Sequence, residues 1–151
     1  MSLPPSVEEN AAMADIPSFQ PCVIPVLRSF DAQRAAEFYQ EFLGFAQDWT
    51  HRFGDDFPLY QQLSLRNAAG LACVLHVSEH HGDACPGSTV RIAWPQLEAY
   101  QQSLLAKNYR YAKPGLERMP WGMLEMRIAD PFGNHLVFFE ELPETPEGAG
   151  S

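Results

Sequence analysis

A chain of 151 residues, 46% hydrophobic and 12% aromatic, fits one folded domain and excludes an intrinsically disordered one. A formal net charge of −9 excludes wrapping of a nucleic-acid backbone, which needs Lys and Arg to neutralise phosphates; it leaves a cationic ligand or plain solubility as readings of the acidity. No apolar run approaches the roughly 20 residues that cross a bilayer. Met1 to Asn10 carries no basic segment followed by an apolar one, so the expected location is the cytoplasm.

Residues 1–20, with Pro4, Pro5 and Pro17 and little periodicity, are expected to be a flexible tail, as are residues 142–151, rich in Pro, Glu and Gly. The domain is expected over 21–141, with two modules at about 22–79 and 88–140, hinged at His80 to Ser88. In the first module Cys22 to Leu27 reads as a strand, with Ile24, Val26 and Arg28 on one face. Asp31 caps a helix whose apolar stripe is Ala35, Phe38, Tyr39, Phe42 and Leu43, and Gly44 ends it. Strands are expected at Phe45 to Phe53, Leu59 to Leu65 and Leu71 to Val77, with turns at Gly54-Asp55-Asp56 and Asn67 to Gly70. The second module repeats the plan: Thr89 to Trp94 as a strand, Pro95 as the first helical residue, a stripe of Leu97, Tyr100, Leu104 and Leu105, and Asn108 as the stop. Tyr109 to Ala112, Gly122 to Ile128 and His135 to Glu140 complete it, with a turn at Asp130-Pro131-Phe132-Gly133-Asn134. The order is βαβββ twice. The fold class is therefore α+β: two modules forming a curved mixed sheet, with helices on the outer face and a concave groove for a ligand. In the last strand Leu136 and Phe138 are expected to face the helix, and His135, Val137 and Phe139 the groove.

Phe38-Tyr39-Gln40-Glu41-Phe42-Leu43-Gly44-Phe45 is similar to the "FYxxxLGF" helix end of the vicinal oxygen chelate superfamily, and Asp130-Pro131-Phe132-Gly133-Asn134 to its "DPxGN" turn. That superfamily includes glyoxalase I, extradiol dioxygenases and bleomycin-resistance proteins. Pro120-Trp121-Gly122 resembles the "PWG" segment of the bleomycin-resistance proteins, and Trp49 with Asp55 and Asp56 resembles their aromatic second strand. The resemblance, closest to that subfamily, spans Val23 to Glu140. Metal-dependent members hold a divalent ion with His or Glu on inward strand positions; the matching positions here are Ile24, Arg91 and Val137, so no metal and no cofactor is expected.

The resemblance implies a metal-free protein that binds and sequesters an aromatic, cationic, glycopeptide-like antibiotic, with no catalytic residue. It also implies a homodimer whose two chains form the grooves together. Ligand-binding candidates are Trp49, Phe53, Tyr60, His76, Trp121, His135 and Phe139, with Asp55 and Asp56 attracting a cationic tail; Asp48 and Glu79 are further acids near the groove. Trp94 is read as packing. Cys22, Cys73 and Cys85, an odd count without CxxC spacing, are read as idle thiols. Other readings stay open: a glyoxalase- or dioxygenase-like enzyme with a metal site rearranged around His76, His80 or His135, and a groove for an ordinary metabolite or a partner protein. The cluster His76, Glu79, His80, His81 and Asp83 is what a rearranged site would draw on, against the plainer reading of a polar hairpin.

Overall fold

The computed structural model describes residues 22–144; residues 1–21 and 145–151, which hold the expected N-terminal tail and most of the C-terminal one, lie outside the described residues. The chain runs through β1 (Val26–Arg28), α1 (α-helical over Ala32–Ala35, π-helical over Ala36–Phe42), β2 (Ala46–His51), β3 (Tyr60–Asn67) and β4 (Gly70–Ser78). It repeats with β5 (Thr89–Ala93), α2 (Leu97–Ala106), β6 (Glu117–Arg118), β7 (Met123–Ala129) and β8 (His135–Glu141). The result is the expected doubled βαβββ order, in two four-stranded mixed sheets arranged β1-β4-β3-β2 and β5-β8-β7-β6. In each module the helix carries the chain across, so that the first and last strands pair in parallel.

The first helix begins at Asp31, whose carboxylate accepts from the Gln33 and Arg34 amides at 2.9 and 3.0 Å. Every residue of the expected stripe, Ala35, Phe38, Tyr39, Phe42 and Leu43, is buried. What a 3.6-residue period does not convey is the π-helical stretch, where the Leu43 amide donates to the Phe38 carbonyl five residues back. The wider turn buries the adjacent Phe38 and Tyr39 together, their rings 4.8 Å apart and nearly perpendicular. Gly44, at φ +94°, stops the helix in a backbone region closed to most side chains.

The second helix begins later than expected. Pro95 is outside it, and Gln96 stands at its head with φ 56° and no side-chain cap. The cap comes from across the sheet: the Glu140 carboxylate on β8 accepts from the Gln96 and Leu97 amides at 2.6 and 3.2 Å. Asn108, at φ 52°, ends the helix as its sequence position suggests. Trp94 packs face to face on Tyr100 at 4.2 Å, which agrees with reading it as core.

Two further expectations are corrected. The strand before β7 is Glu117–Arg118, not Tyr109 to Ala112. The Tyr109 ring instead stacks on Phe42 at 4.6 Å, and the antiparallel pair is set by the tight turn in which Met119 N–H donates to the Met123 carbonyl. The first strand is shorter than Cys22 to Leu27: it begins after Pro25, so Ile24 lies outside it, while Val26 and Arg28 keep their common face. Arg28 is buried there with its guanidinium 4.8 Å from the Phe30 ring centre, and its Nη1 has no hydrogen-bond partner among the described residues.

One apolar cluster serves both modules. Leu27, Leu63, Leu65, Leu75 and Val77 from the first sheet join Ile92, Met126, Ile128, Leu136 and Phe138 from the second, together with the buried residues of both helices. Each such Leu or Phe contributes about 1.5–3 kcal/mol by leaving water. The two family-like motifs meet at one edge of this cluster. Tyr39 Oη donates to Asp130 Oδ2 at 2.6 Å; the same carboxylate accepts from the Phe132 and Asn134 amides and from Asn134 Nδ2, each at 2.8 Å. Asn134 Nδ2 also donates to the Arg28 carbonyl at 2.9 Å, reaching β1. Gly133, at φ +91°, lets the turn close.

Removing the Tyr39 hydroxyl leaves a buried carboxylate short of one donor. Tyr39→Phe is expected to lower stability by about 1.5–3 kcal/mol, read from urea unfolding, with the fold retained. A change within about 0.5 kcal/mol would show that the junction does not need this bond.

Candidate functional site

Residues that alternate with the core positions form the open face of each sheet. On the first sheet these are Val26, His76, Gln62, Ser64 and Tyr60, fixed by the pairings Val26 with His76, His76 with Gln62, and Tyr60 with Ser78. A bulge in β2 adds to them. Gln47 pairs with Leu63 and Trp49 with Gln62, so Asp48 is an extra residue between them, and from Trp49 onward the strand's alternation is shifted. Trp49 and His51 thereby share a face with Gln62 and Tyr60.

These side chains make a connected group. Trp49 stacks nearly parallel on Tyr60 at 5.9 Å and meets His76 edge-on at 5.3 Å. His51 meets Phe53 at 4.6 Å, and Phe53 meets His80 at 5.9 Å, both nearly perpendicular. Together Trp49, His51, Phe53, Tyr60, His80 and Asp83 line a cavity of about 420 Å³. Below it Ser64 Oγ donates to Asp48 Oδ1 at 2.9 Å and Gln62 Nε2 donates to Asp48 Oδ2 at 3.0 Å. His76 sits between Gln62 Oε1, 3.0 Å from its Nε2, and Tyr60 Oη, 2.6 Å from its Nδ1. Burial lowers the His76 pKa below its ordinary 6.5; burial, with the Asp83 charge second, raises that of Tyr60.

The open face of the second sheet carries Arg91, Arg127, Glu125, Val137 and Phe139, with Arg91 paired to Val137 and Glu125 to Phe139. Arg91 Nη2 donates to Glu125 Oε2 at 2.8 Å, Trp121 Nε1 donates to the same oxygen at 3.0 Å, and the Arg91 guanidinium lies 4.9 Å from the Phe139 ring centre. Hydrogen bonding from Arg91 holds the Glu125 carboxyl below its usual range. Trp121 is 60% exposed at the tip of its turn.

The residues picked from sequence thus fall into three sets. Trp49, Phe53, Tyr60 and His76 are brought together on the first sheet; Trp121 and Phe139 are brought together on the second. His135 lies on β8 opposite Thr89 and Ala129, two residues from Val137 on the same face. Asp55 and Asp56 are exposed in the β2–β3 turn, outside the lining of the cavity. No ring contact, hydrogen bond or ion pair among the described residues joins the Trp49 group to the Trp121 group. The reading missed His51, although the alternation that selects Trp49 and Phe53 passes through it. It also missed Gln62, for which sequence gives no signal: it becomes visible only through strand pairing.

The metal positions are sharpened by the register. β1 pairs Val26 with His76 as β5 pairs Arg91 with Val137, so Val26, not Ile24, is the first-strand counterpart of Arg91. One imidazole with two valines and a guanidinium does not fit a divalent ion, which needs several converging donors. His76 already has both ring nitrogens engaged, and Glu79 accepts from the Leu59 amide at 2.7 Å. Among the described residues no three His, Cys, Asp or Glu side chains converge on a metal-sized space. The Cys73 thiol is pushed up to about 12 by burial, which leaves it unreactive, and Cys22 and Cys85 are exposed and unpaired.

The family model described as "Glyoxalase superfamily protein" matches residues 7–144, which takes in residues 7–20 of the expected tail. Solved structures share the fold at low identity. A glyoxalase-related enzyme from Clostridium phytofermentans aligns at a TM-score of 0.62 and 20% identity, over 83% of this chain and 98% of its own. A member of the glyoxalase/bleomycin resistance protein/dioxygenase superfamily from Sphaerobacter thermophilus aligns at 0.60 and 19%, over 81% and 98%. A bleomycin resistance determinant encoded on the transposon Tn5 aligns at 0.57 and 18%, again over 81% and 98%. No curated relative matches the chain.

The His76 environment sets a pH dependence. Below its ordinary value of 6.5 the unfolded imidazole takes up a proton that the folded one resists, so the unfolded state gains and stability falls with falling pH. Replacing His76 by Gln is expected to flatten the fall in urea midpoint between about pH 7 and pH 5. An unchanged slope in the variant would mean that other groups set it.

Proposed function

The chain belongs to the glyoxalase superfamily, and from that membership and the open-face geometry we propose that it is a metal-free binding protein that sequesters an aromatic, cationic small molecule of the bleomycin type. The observation that carries this is the cavity of about 420 Å³ whose walls are Trp49, Phe53 and Tyr60 and whose carboxylate is Asp83. Flat rings offer a stacking surface to a planar ligand and a negative π-face to a cation, and a nearby carboxylate adds to the same preference. Sequestration requires no nucleophile or metal, in keeping with valine and arginine at the inherited ligand positions. The Tn5 determinant, similar in fold, is named for bleomycin resistance.

The ligand set is Trp49, Phe53, Tyr60 and His76 on one face, with Trp121, His135 and Phe139 on the other. Asp83 takes the attracting role first assigned to Asp55 and Asp56. The working unit is a homodimer acting in the cytoplasm, built from one domain over residues 21–141. Trp121 at 60% exposure and Phe53 at 74% are large apolar surfaces that a second copy would cover, and a two-fold axis would bring the second sheet of one chain over the first sheet of its partner. Among the described residues no helix is long and apolar enough to cross a membrane.

Bleomycin added to the purified protein is expected to quench Trp fluorescence, and Trp49→Ala to weaken binding about tenfold or more, equivalent to about 1.4 kcal/mol. In a dimer Trp121→Ala weakens it as well, and sedimentation equilibrium reads two chains per particle. Stoichiometric Zn, Ni, Mn or Fe in protein isolated without chelators would favour the enzyme reading. Unaltered affinity in the Trp49 variant would remove this cavity as the site.

A further inference from the structure

The hydrogen bonds beneath the cavity fix more than its shape, because each link in the chain determines the proton position in the next. Asp48 can only accept. It takes Ser64 Oγ on Oδ1 and Gln62 Nε2 on Oδ2, which orients the Gln62 amide so that its carbonyl oxygen faces His76. An acceptor 3.0 Å from His76 Nε2 requires the proton on that nitrogen. Burial keeps the imidazole neutral at neutral pH, so it holds no second proton and Nδ1 is a bare lone pair. The 2.6 Å contact between Nδ1 and Tyr60 Oη is then the tyrosine O–H donating inward.

We propose that this relay makes Tyr60 the specificity-determining residue of the cavity: with its single proton committed to His76, its oxygen presents only lone pairs, and the ligand must be a cation bearing N–H donors, an ammonium or amidinium rather than a quaternary nitrogen. The proposal rests on the cation-binding reading given above and narrows its substrate class. Asp83 and the aromatic rings of the lining agree. Asp83 receives Ser78 Oγ at 2.6 Å on Oδ2, leaving Oδ1 without a hydrogen-bond partner among the described residues. Of the lining side chains Tyr60 and Asp83 are the ones that carry oxygen, and both present acceptors; the Trp49 and Phe53 rings favour positive charge without asking for a donor, and His51 and His80 complete the lining. A quaternary nitrogen satisfies the rings alone and leaves the lone pairs of the Tyr60 oxygen, which it would cover, without a donor. Gln62 and Asp48 act through His76 and are positioning residues.

Two measurements test this. In ligand-free protein, the nitrogen shifts of His76 are expected to report the Nε2–H tautomer; an Nδ1–H tautomer overturns the relay whatever the protein binds. Benzamidinium and benzyltrimethylammonium are then compared by calorimetry. The expected result is that benzamidinium binds the wild type at least about tenfold more tightly, and that Tyr60→Phe abolishes this preference while leaving benzyltrimethylammonium within about twofold. Equal affinity of the two cations, or an equal loss of both in Tyr60→Phe, overturns the specificity role but leaves a cation site standing. Binding of neither cation removes the cation-binding reading itself, and the proposal with it.

Discussion

A carboxylate with four donors holds the two halves of this protein in register. Asp130 folds its own turn through the Phe132 and Asn134 amides, and it also receives the Tyr39 hydroxyl from the helix of the other module. A buried carboxylate is tolerated only when its lone pairs are satisfied, so the turn, the tyrosine and the helix that carries it depend on one another. The π-helical stretch belongs to the same arrangement. Phe38 goes into the core and its neighbour Tyr39 reaches Asp130, two inward demands on adjacent residues that a wider helical turn accommodates.

Because the junction and the core occupy the helix-facing side of both sheets, the other sides are relieved of structural duty. The first sheet uses this freedom for polar residues that would be costly elsewhere: Gln62 and Ser64 are buried yet satisfied by Asp48. The second uses it for an arginine–carboxylate pair beneath an exposed indole. With Arg91 about half exposed the pair itself adds little stability, and its effect is to fix where the Trp121 ring sits.

The doubled module, the first helix stripe, most of the second and the alternation in the last strand were legible because each is a local period read against a single core; Leu105, expected in the second stripe, is exposed. Leu136 and Phe138 are fully buried, and Phe139 carries the guanidinium of Arg91 on the opposite face. What was not legible is non-local. Tyr109 looks like a strand residue, but Phe42 from another module captures its ring. Glu140 reads from sequence as the end of a strand, but its carboxylate caps a helix that starts more than forty residues earlier. Trp49 and Tyr60, strand aromatics outside the helix stripes, come together on one face of the first sheet, whereas Asp55 and Asp56, near Trp49 in sequence, are carried out to solvent by their turn.

The supernumerary Asp48 makes the cavity wall a matter of phase. Were Asp48 paired in an unbroken ladder, Trp49 would fall opposite Gln61, on the core side, and His51 opposite Leu59, so both rings would leave the wall together. Deleting Asp48 would leave Trp49 opposite Gln62 and His51 opposite Tyr60, and would remove instead the carboxylate that orients Gln62 and Ser64. The bulge thus sets a carboxylate behind rings whose own places on the strand do not depend on it, so the surface that meets a ligand and the polar support behind it can change separately.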